Sequence, residues 1–213
     1  MHTTPLNFRR FPFLTIAVAL AAAATQLCPA FSDIFAYDRD AVMCGQLWRM
    51  WSCHLTHWSW NHLWWDTLAF VGLAGFCEIR DRRRWTALMI AAPLAISLVV
   101  HYGSPHLAAY RGLSGLDSAF YGLVLAGFIE IRAGRKISPE SAVAVLAALA
   151  FVAKVAYETA TGAAVFAASG GSYIVVPSVH LAGFVAGLAA SFAARKTGGQ
   201  VCLTSRAYTA INM

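Results

Sequence analysis

The chain has 213 residues, of which 59% are hydrophobic and only 12% are charged, with a mean hydropathy of +0.59. A water-soluble domain of this length carries about twice that charged fraction. The composition excludes an ordinary soluble enzyme and predicts an all-α membrane protein, because backbone groups in lipid must be satisfied within helices or closed barrels. The formal net charge of +6 is concentrated in particular loops, which indicates orientation in a membrane rather than nucleic-acid binding.

Six apolar stretches approach or reach the ~18–20 residues that a helix needs to cross the hydrocarbon core. They cover residues 11–31, 58–76, 85–102, 113–131, 141–157 and 179–194. We therefore predict one six-span membrane domain over residues 11–195, between an N-terminal segment at 1–10 and a tail at 196–213. Because Arg9 and Arg10 precede the first stretch, a cleaved signal peptide is the alternative. The long run without a clear cleavage site favours a retained first span.

Basic residues predict which way the spans point. They precede the first span, separate the second from the third, and follow the fourth and sixth: Arg9, Arg10, Arg80, Arg82, Arg83, Arg84, Arg132, Arg135, Lys136, Arg195, Lys196 and Arg206. The positive-inside rule then puts both termini in the cytoplasm and the loop at 32–57 outside. We expect a bacterial inner (cytoplasmic) membrane, with the site described below facing the periplasm.

Two outer loops have distinctive compositions. Residues 47–51 are aromatic and amphipathic, which favours a segment lying in the membrane interface. The loop at 161–177 is rich in Gly, Ala and Ser and is predicted to form a flexible cap. Cys44 and Cys53 share the first outer loop and would pair in an oxidising compartment, although unpaired apolar cysteines are the favoured interpretation.

Three polar residues fall at one predicted membrane depth. His62, Ser114 and His180 lie within the first turn or so of the second, fourth and sixth spans, all of which run inward from the outer face. Ionisable residues inside a membrane are costly and mark functional sites. A serine becomes a nucleophile when a neighbouring histidine removes its proton, so Ser114 and His180 are the candidate catalytic pair.

Glycines surround this pair. Gly112 and Gly115 flank Ser114 and allow a tight entry into the helix, whose first N–H groups point where an oxyanion would develop. Gly183 and Gly187 share one helical face with His180. Packing of that face against Gly115 and Gly122 of the fourth span would bring His180 to Ser114.

The order of these motifs resembles the rhomboid family of intramembrane serine proteases. Gly112-Leu-Ser114-Gly115 is similar to the family's G-x-S-G box, and the run from His180 to Gly187 resembles H-x-x-G-x-x-x-G. Residues 57–66 look like H-x-x-x-x-H-x-x-x-N, and Trp48-Arg49 matches a W-R dipeptide. The resemblance covers about residues 11–195. It implies a six-span bundle, a Ser114–His180 dyad and an oxyanion supported by His62, with no metal or other cofactor.

Within the family, the short chain and the runs at 37–40 and 45–49 resemble the rhombosortase branch. That resemblance implies membrane-anchored protein substrates whose C-terminal tail combines Gly-Gly, a hydrophobic helix and basic residues. The acyl-enzyme would be resolved by water or by an amine, so protease and transpeptidase both stay open.

The chain departs from the family pattern at two positions. Asp66 stands where the oxyanion asparagine is expected; it would be protonated, or would turn away and orient His62, or Asn61 would contribute instead. Ser118 replaces a tyrosine beneath the histidine, so Tyr121 is a candidate to pack there. Asp117 is either a helper or a structural hydrogen-bond partner.

Other interpretations compete with a protease. A metal site would use Cys53, His54, His57, His62 and Asp66, but these do not share one helical face and no H-E-x-x-H motif is present. Inactive rhomboid-like scaffolds, which bind membrane proteins or act in quality control, usually lack the serine or the histidine, and this chain keeps both. A transporter is a weaker alternative, because the six spans show no evident inverted repeat. Lys154 and Glu158, four residues apart in the fifth span, are predicted to form an ion pair, with a role in substrate gating as the alternative.

Overall fold

The computed structural model describes residues 11–129, 137–163 and 176–196. The predicted terminal segments fall almost entirely outside the described residues, as does most of the predicted cap at 161–177. The described elements in chain order are α1 (Phe13–Leu27), α2 (Pro29–Phe35), β1 (Tyr37–Asp38), α3 (Arg39–Met43), α4 (Arg49–Ser52), a 3-10 turn (Cys53–Leu55), α5 (Trp60–Arg80), α6 (Arg82–Gly103), β2 (Ala109–Tyr110), α7 (Ser114–Phe128), α8 (Pro139–Thr161) and α9 (Pro177–Lys196).

Among the described residues, six helices of 15 residues or more lie at the six predicted positions. By length and hydropathy, the described part of the chain has two helices able to cross a membrane, α6 and α8, or three if α1 and α2 form one bent span. The other long helices, α5, α7 and α9, do not reach the length or hydropathy of a membrane span, for physical reasons. Helix α7 has only 15 residues, about 22 Å of rise, and polar side chains of the candidate site interrupt α5. In α9 the apolar part ends at Phe192.

The first predicted span is too long. Residues 11–31 are not one helix: α1 ends at Leu27, and the chain turns by 115° into α2, which Pro29 begins. Cys28 between them is extended, because the residue before a proline is sterically disfavoured in the helical region. The fourth span is also shorter than predicted, since α7 ends at Phe128 and Ile129 is extended.

Side-chain caps fix where three of the long helices begin. Ser59 Oγ accepts from His62 N, Asp81 Oδ1 accepts from Arg84 N, and Ser138 Oγ accepts from Ser141 N. Such caps satisfy backbone donors that have no partner within the helix. The Ser59 cap places His62 in the first turn of α5.

The first outer loop is folded rather than free. Its strand β1 pairs antiparallel with β2 in the loop before α7, with Tyr37 opposite Tyr110, and this small sheet was not part of the all-α prediction. Arg39 fastens the loop to the end of α6, because its guanidinium donates to the carbonyls of Val100, His101, Ser104 and Leu107. Trp48 and Trp51 are exposed, and their lipid contact stays a prediction.

Helix α7 lies at the centre of the bundle. It packs most extensively against α9, while α5, α6 and α8 also contact it. Phe120 of α7 is fully buried between Phe70 of α5 and Trp85 of α6. Helix α8 is peripheral, with a row of exposed apolar side chains on its outer face: Val143, Leu146, Leu149 and Val152. The catalytic serine candidate therefore begins the most enclosed helix.

Candidate active site

The structure brings Ser114 and His180 together. Ser114 is the first residue of α7 and His180 lies in the first turn of α9, and His180 Nε2 is 3.2 Å from Ser114 Oγ. This is a hydrogen-bonding distance for a nucleophile and its general base. The His180 side chain is 12% exposed, so the pair is shielded but still reachable from the cavity described below.

Glycines allow the two helices to approach closely enough for this contact. A Cβ atom on Gly183 would overlap the carbonyl oxygen of Gly115, and one on Gly187 would overlap that of Ala119. A Cβ on Gly122 would overlap the carbonyl oxygen of Phe184 in α9. The α7–α9 contact is therefore backbone against backbone, which sets the distance between Ser114 and His180.

The loop that precedes Ser114 has a conformation that favours glycine. Gly112 has φ +128°, and a Cβ there would lie 2.9 Å from His62 Cε1. Gly112 N donates to the carbonyl of Cys53 at 3.3 Å. The nucleophile loop is therefore attached directly to the 3-10 turn of the first outer loop.

Two histidines of the outer loop also hold the nucleophile loop. His54 Nδ1 is 3.2 Å from the Gly112 carbonyl oxygen, and Leu113 N donates to His57 Nε2 at 3.3 Å. Burial lowers the pKa of His54 to about 4, so its imidazole is neutral at physiological pH. The sequence suggested only a possible metal-binding role for His54. The one sequence feature that could have indicated its contact with the nucleophile loop is its position close to the motif at 57–66.

Asp66 occupies the point on which the predicted oxyanion donors converge. Its Oδ2 accepts from Ser114 N at 3.1 Å and lies 3.2 Å from His62 Nε2. His57 Nε2 is also 3.3 Å from this oxygen. In this structure Asp66 is thus an acceptor within the predicted oxyanion site and a partner of His62, rather than a donor.

A further carboxylate contacts His180 from the other side. Glu158 Oε2 lies 3.2 Å from His180 Nδ1, and Lys154 Nζ donates to both carboxylate oxygens of Glu158 at 2.8 Å. The predicted Lys154–Glu158 ion pair is therefore confirmed. Its contact with His180 was missed, because helical spacing shows that two residues share a face but not which neighbouring helix that face meets.

Several predicted supporting residues lie elsewhere. Asn61 is exposed and does not line the cavity among the described residues, because consecutive helical residues point about 100° apart and its neighbour His62 faces inward. Tyr121 packs at a tilt against Phe151 and Phe184, and its hydroxyl donates to the Ala147 carbonyl. It lines the same cavity as His180, but the described contact to the far side of the imidazole comes from Glu158.

Ser118 and Asp117 lie one turn into α7. Ser118 Oγ donates back to the Ser114 carbonyl at 2.9 Å, which is a local helical contact. Asp117 is buried and lines the cavity, and its Oδ1 has no hydrogen-bond partner among the described residues. The structure therefore leaves both predicted interpretations of Asp117 open, since the carboxyl is near the site but not fully bonded.

A cavity of about 1480 Å³ opens onto Ser114 and His180. Residues of α5, α7, α8, α9 and the loop at 106–111 line it. The walls are largely apolar, and the polar groups of the site are among the lining residues: His62, Asp66, Ser114, Asp117, Lys154, Glu158 and His180. A cavity of this size accommodates an extended peptide segment rather than a single small metabolite.

The residues that the sequence suggested for a metal site or a disulfide have other contacts in the structure. Within residues 11–129, 137–163 and 176–196, no group of three or more His, Cys, Asp or Glu side chains is arranged to hold a metal ion. Cys53 is buried with its sulfur 3.6 Å from Ser97 Oγ, whereas Cys44 is exposed, and neither forms a disulfide. Cys53 and the neighbouring His54 are thus engaged by protein groups.

The architecture and the site define a helical membrane protein with a serine–histidine pair at the end of an enclosed helix. The model of the Rhomboid domain matches residues 44–197, well over half of the chain. This chain belongs to the rhomboid family, whose members are intramembrane serine proteases acting on membrane-embedded substrates. Comparison with curated proteins gives no significant match.

Proposed function

We propose that this protein is an intramembrane serine endopeptidase in which Ser114 is the nucleophile and His180 the general base. The observation that carries the proposal is the 3.2 Å contact between Ser114 Oγ and His180 Nε2 at the start of α7, inside a large cavity. The family of the chain supports the reaction class.

The reaction proceeds by acyl transfer. His180 Nε2 takes the Ser114 hydroxyl proton while Oγ attacks the scissile carbonyl carbon, and the negative charge develops on the carbonyl oxygen. The Ser114 N–H and His62 Nε2 are the donors for this oxyanion. Protonated His180 then donates to the leaving amide nitrogen, the C–N bond breaks, and an acyl-enzyme remains for attack by water or an amine.

Binding of the oxyanion requires Asp66 to change its contacts. Its Oδ2 accepts from the Ser114 N–H in the structure, so a substrate oxygen must displace it from that donor. Two negative charges within hydrogen-bonding distance of one another repel strongly in a water-poor site. Asp66 therefore moves away or becomes protonated when the tetrahedral intermediate forms, while its contacts with the histidines keep the site ordered before substrate binds.

The proposed membrane arrangement has six spans with both termini cytoplasmic. The positive-inside distribution supports the orientation, and the six long helices support the count. Helix α7 rises about 22 Å of the ~30 Å hydrocarbon core, so Ser114 lies below the outer face rather than at it. Water reaches Ser114 through the cavity. Irregular backbone at membrane depth is tolerated where it lines such a water-filled cavity.

The proposed substrates are membrane-anchored proteins with a rhombosortase-type tail of Gly-Gly, a hydrophobic helix and basic residues. The resemblance of residues 37–40 and 45–49 supports this branch. In the structure, Arg39 and Arg49 of these runs donate to backbone carbonyls of the outer loop and α6. The residues that resemble the rhombosortase branch therefore stabilise the outer loop. Their support for the substrate class rests on the resemblance alone.

Proteolysis of a reconstituted substrate tests the activity. Purified protein in liposomes is incubated with a single-span substrate that carries a Gly-Gly tail, and mass spectrometry locates the new C-terminus. The wild type is expected to cleave near the Gly-Gly, while Ser114→Ala and His180→Ala leave the substrate intact. Cleavage that persists in folded Ser114→Ala would rule out this nucleophile.

One observation favours a second candidate, a catalytically inactive rhomboid-like scaffold that binds membrane proteins. Asp66 holds the donor that an oxyanion needs, and a carboxylate that never leaves would block acyl transfer. In that case the wild type and Ser114→Ala would retain the same substrate on affinity purification, and neither would cleave it.

A further inference from the structure

The carboxylate of Glu158 lies behind the candidate base. Glu158 Oε2 is 3.2 Å from His180 Nδ1, while Nε2 of the same imidazole is 3.2 Å from Ser114 Oγ. We propose that Glu158 is a positioning residue for His180, so that the site works as a Ser114–His180–Glu158 triad assembled from three helices. The inference deepens the proposed protease function and rests on it.

The imidazole must adopt one tautomer to act as a base. Nε2 needs its lone pair toward the Ser114 hydroxyl, so the proton of the neutral ring must be on Nδ1. A carboxylate that accepts from Nδ1–H selects this tautomer, fixes the plane of the ring and stabilises the imidazolium that forms when Ser114 loses its proton. Glu158 Oε2 is at the required distance from Nδ1.

Lys154 keeps this carboxylate in place and charged. Its ammonium group donates to both oxygens of Glu158 at 2.8 Å from one turn earlier in α8. Glu158 is 2% exposed, and an ionised buried carboxylate persists when an opposite charge and hydrogen bonds compensate for lost water. The Lys154–Glu158 pair thus presents an oriented hydrogen-bond acceptor to His180. Little further free energy is needed to order this acceptor when the imidazolium forms.

The pair lies in an otherwise apolar part of α8. Beyond its first turn, α8 carries no other charged residue, and its outer face is apolar. An ion pair within a predicted span is costly compared with apolar residues of similar size. Function at the neighbouring base accounts for retaining it, because α8 packs only lightly on α7 and α9 and does not need a buried charge pair for that contact.

Other charged and titratable groups share the cavity with His180. They come from α5, the loop before α7, α7 itself and α8: His62, Asp66, His106, Tyr110, Arg111, Asp117, Tyr121, Lys154 and Tyr157. Among the described residues, Glu158 and Ser114 are the groups that contact the imidazole nitrogens directly. A change at Glu158 should therefore dominate the protonation behaviour of His180.

The test is the rate of covalent labelling by a fluorophosphonate probe as a function of pH. The probe needs no known substrate and reports the nucleophilicity of Ser114. In Glu158→Gln, which keeps the shape but removes the charge, the maximal rate should fall by about 100-fold or more because the imidazolium loses its partner. The acid limb of the profile should also move by about one pH unit or more to lower pH.

Lys154→Met tests the same contact from the other end of the pair. It removes the cation that holds Glu158 oriented and ionised, so the imidazolium loses a charged partner, the maximal rate should fall and the acid limb should move to lower pH, as in Glu158→Gln. Glu140→Gln, at the exposed start of the same helix, is the matched control and should leave rate and profile unchanged. A merely structural role of the pair would lower the fraction of folded protein without moving the acid limb.

The outcomes separate the two proposals. If the wild type shows no Ser114-dependent labelling, the proposed function fails. If the wild type is labelled but Glu158→Gln matches it in rate and acid limb, the triad alone is wrong. Where Glu158→Gln does not fold, Lys154→Met decides, and an unmoved acid limb in that variant contradicts the inference.

Discussion

Asp66 shows how one side chain can organise a site and oppose its chemistry. Its Oδ2 accepts from Ser114 N at 3.1 Å and lies 3.2 Å from His62 Nε2. This orders the nucleophile loop against α5 in the free enzyme. The same contact uses the donor that a substrate oxygen requires, so the charge of Asp66 should limit turnover.

Asp66→Asn should therefore accelerate the reaction. The amide oxygen still accepts a hydrogen bond, its NH₂ group can donate to the oxyanion, and the repulsion, ~1–4 kcal/mol for charges 4 Å apart near a protein surface, disappears. We expect turnover at pH 8 to rise on the order of tenfold. Asp66→Leu, which keeps no polar contact, should lose activity. An Asp66→Asn variant that is folded but slower than the wild type would contradict this role.

His54 should make the fold sensitive to acid. Its pKa is lowered to about 4 by burial, against about 6.5 in the unfolded chain, so below pH 6.5 the unfolded state binds the extra proton. Stability is then full above pH 6.5 and falls as the pH drops towards 4, by up to about 3 kcal/mol. The unfolding midpoint in detergent, measured from pH 8 to pH 4, checks this.

His54→Gln is the control for that measurement. Glutamine can donate to the Gly112 or Pro93 carbonyl but does not titrate, so its midpoint should fall less between pH 6.5 and 4. Identical pH profiles for the two proteins would show that other groups cause the acid sensitivity.

At the scale of single residues, the sequence predicted those site residues that belong to a recognisable motif. Ser114, His180 and His62 were predicted from spacing and depth, and the structure brings them together. Glu158 could not be assigned in the same way, because its contact with His180 joins two helices whose relative rotation depends on packing. The acceptor role of Asp66 depends on a distance of 3.1 Å, which no linear pattern specifies.

Among the elements, the α7–α9 contact determines the geometry of the pair. The two helices touch through Gly122, Gly183 and Gly187, where a Cβ atom would overlap a backbone carbonyl oxygen of the facing helix. Small residues at such contacts let backbones approach in a membrane, where no hydrophobic effect drives helices together.

Gly183→Val should separate the helices and disable the site. We expect labelling of Ser114 to be lost and stability to drop by about 1–3 kcal/mol or more, as for other overpacked cores. Gly72→Val in α5 is the matched control, because no atom of the described residues lies within 4 Å of a Cβ there. If Gly183→Val retained wild-type labelling, helix spacing would not set the Ser114–His180 contact.

Helix positions were largely predictable because apolar runs and caps are local signals. The bend at Cys28 was signalled by Pro29 but was not included in the predicted first span. The pairing of Tyr37 with Tyr110 could not be predicted, since two-residue strands have no periodicity. The packing of α8 at the edge likewise depends on its neighbours and not on its own sequence.

On the scale of the whole molecule, the proposed orientation puts the cavity on the outer side. Two cysteines of the first outer loop report on this side differently. Cys44 is exposed, whereas burial raises the pKa of Cys53 to about 12 and leaves its thiol unreactive.

A variant with Cys44 as its single cysteine should react with a membrane-impermeant maleimide added to intact spheroplasts. A variant with Cys202 alone, in the predicted cytoplasmic tail outside the described residues, should react only after the membrane is permeabilised. A variant with Cys53 alone should stay unlabelled in both conditions until it is denatured. Labelling of Cys202 from outside would reverse the proposed topology.

The central claim is that Ser114, activated by His180, is a nucleophile. Mass spectrometry of the fluorophosphonate-treated wild type in detergent, followed by peptide mapping, measures this directly. The account predicts one adduct per chain on Ser114, its absence in Ser114→Ala, and labelling slowed by about 100-fold or more in folded His180→Ala. A folded wild type without an adduct, or an equal rate in His180→Ala, would contradict it.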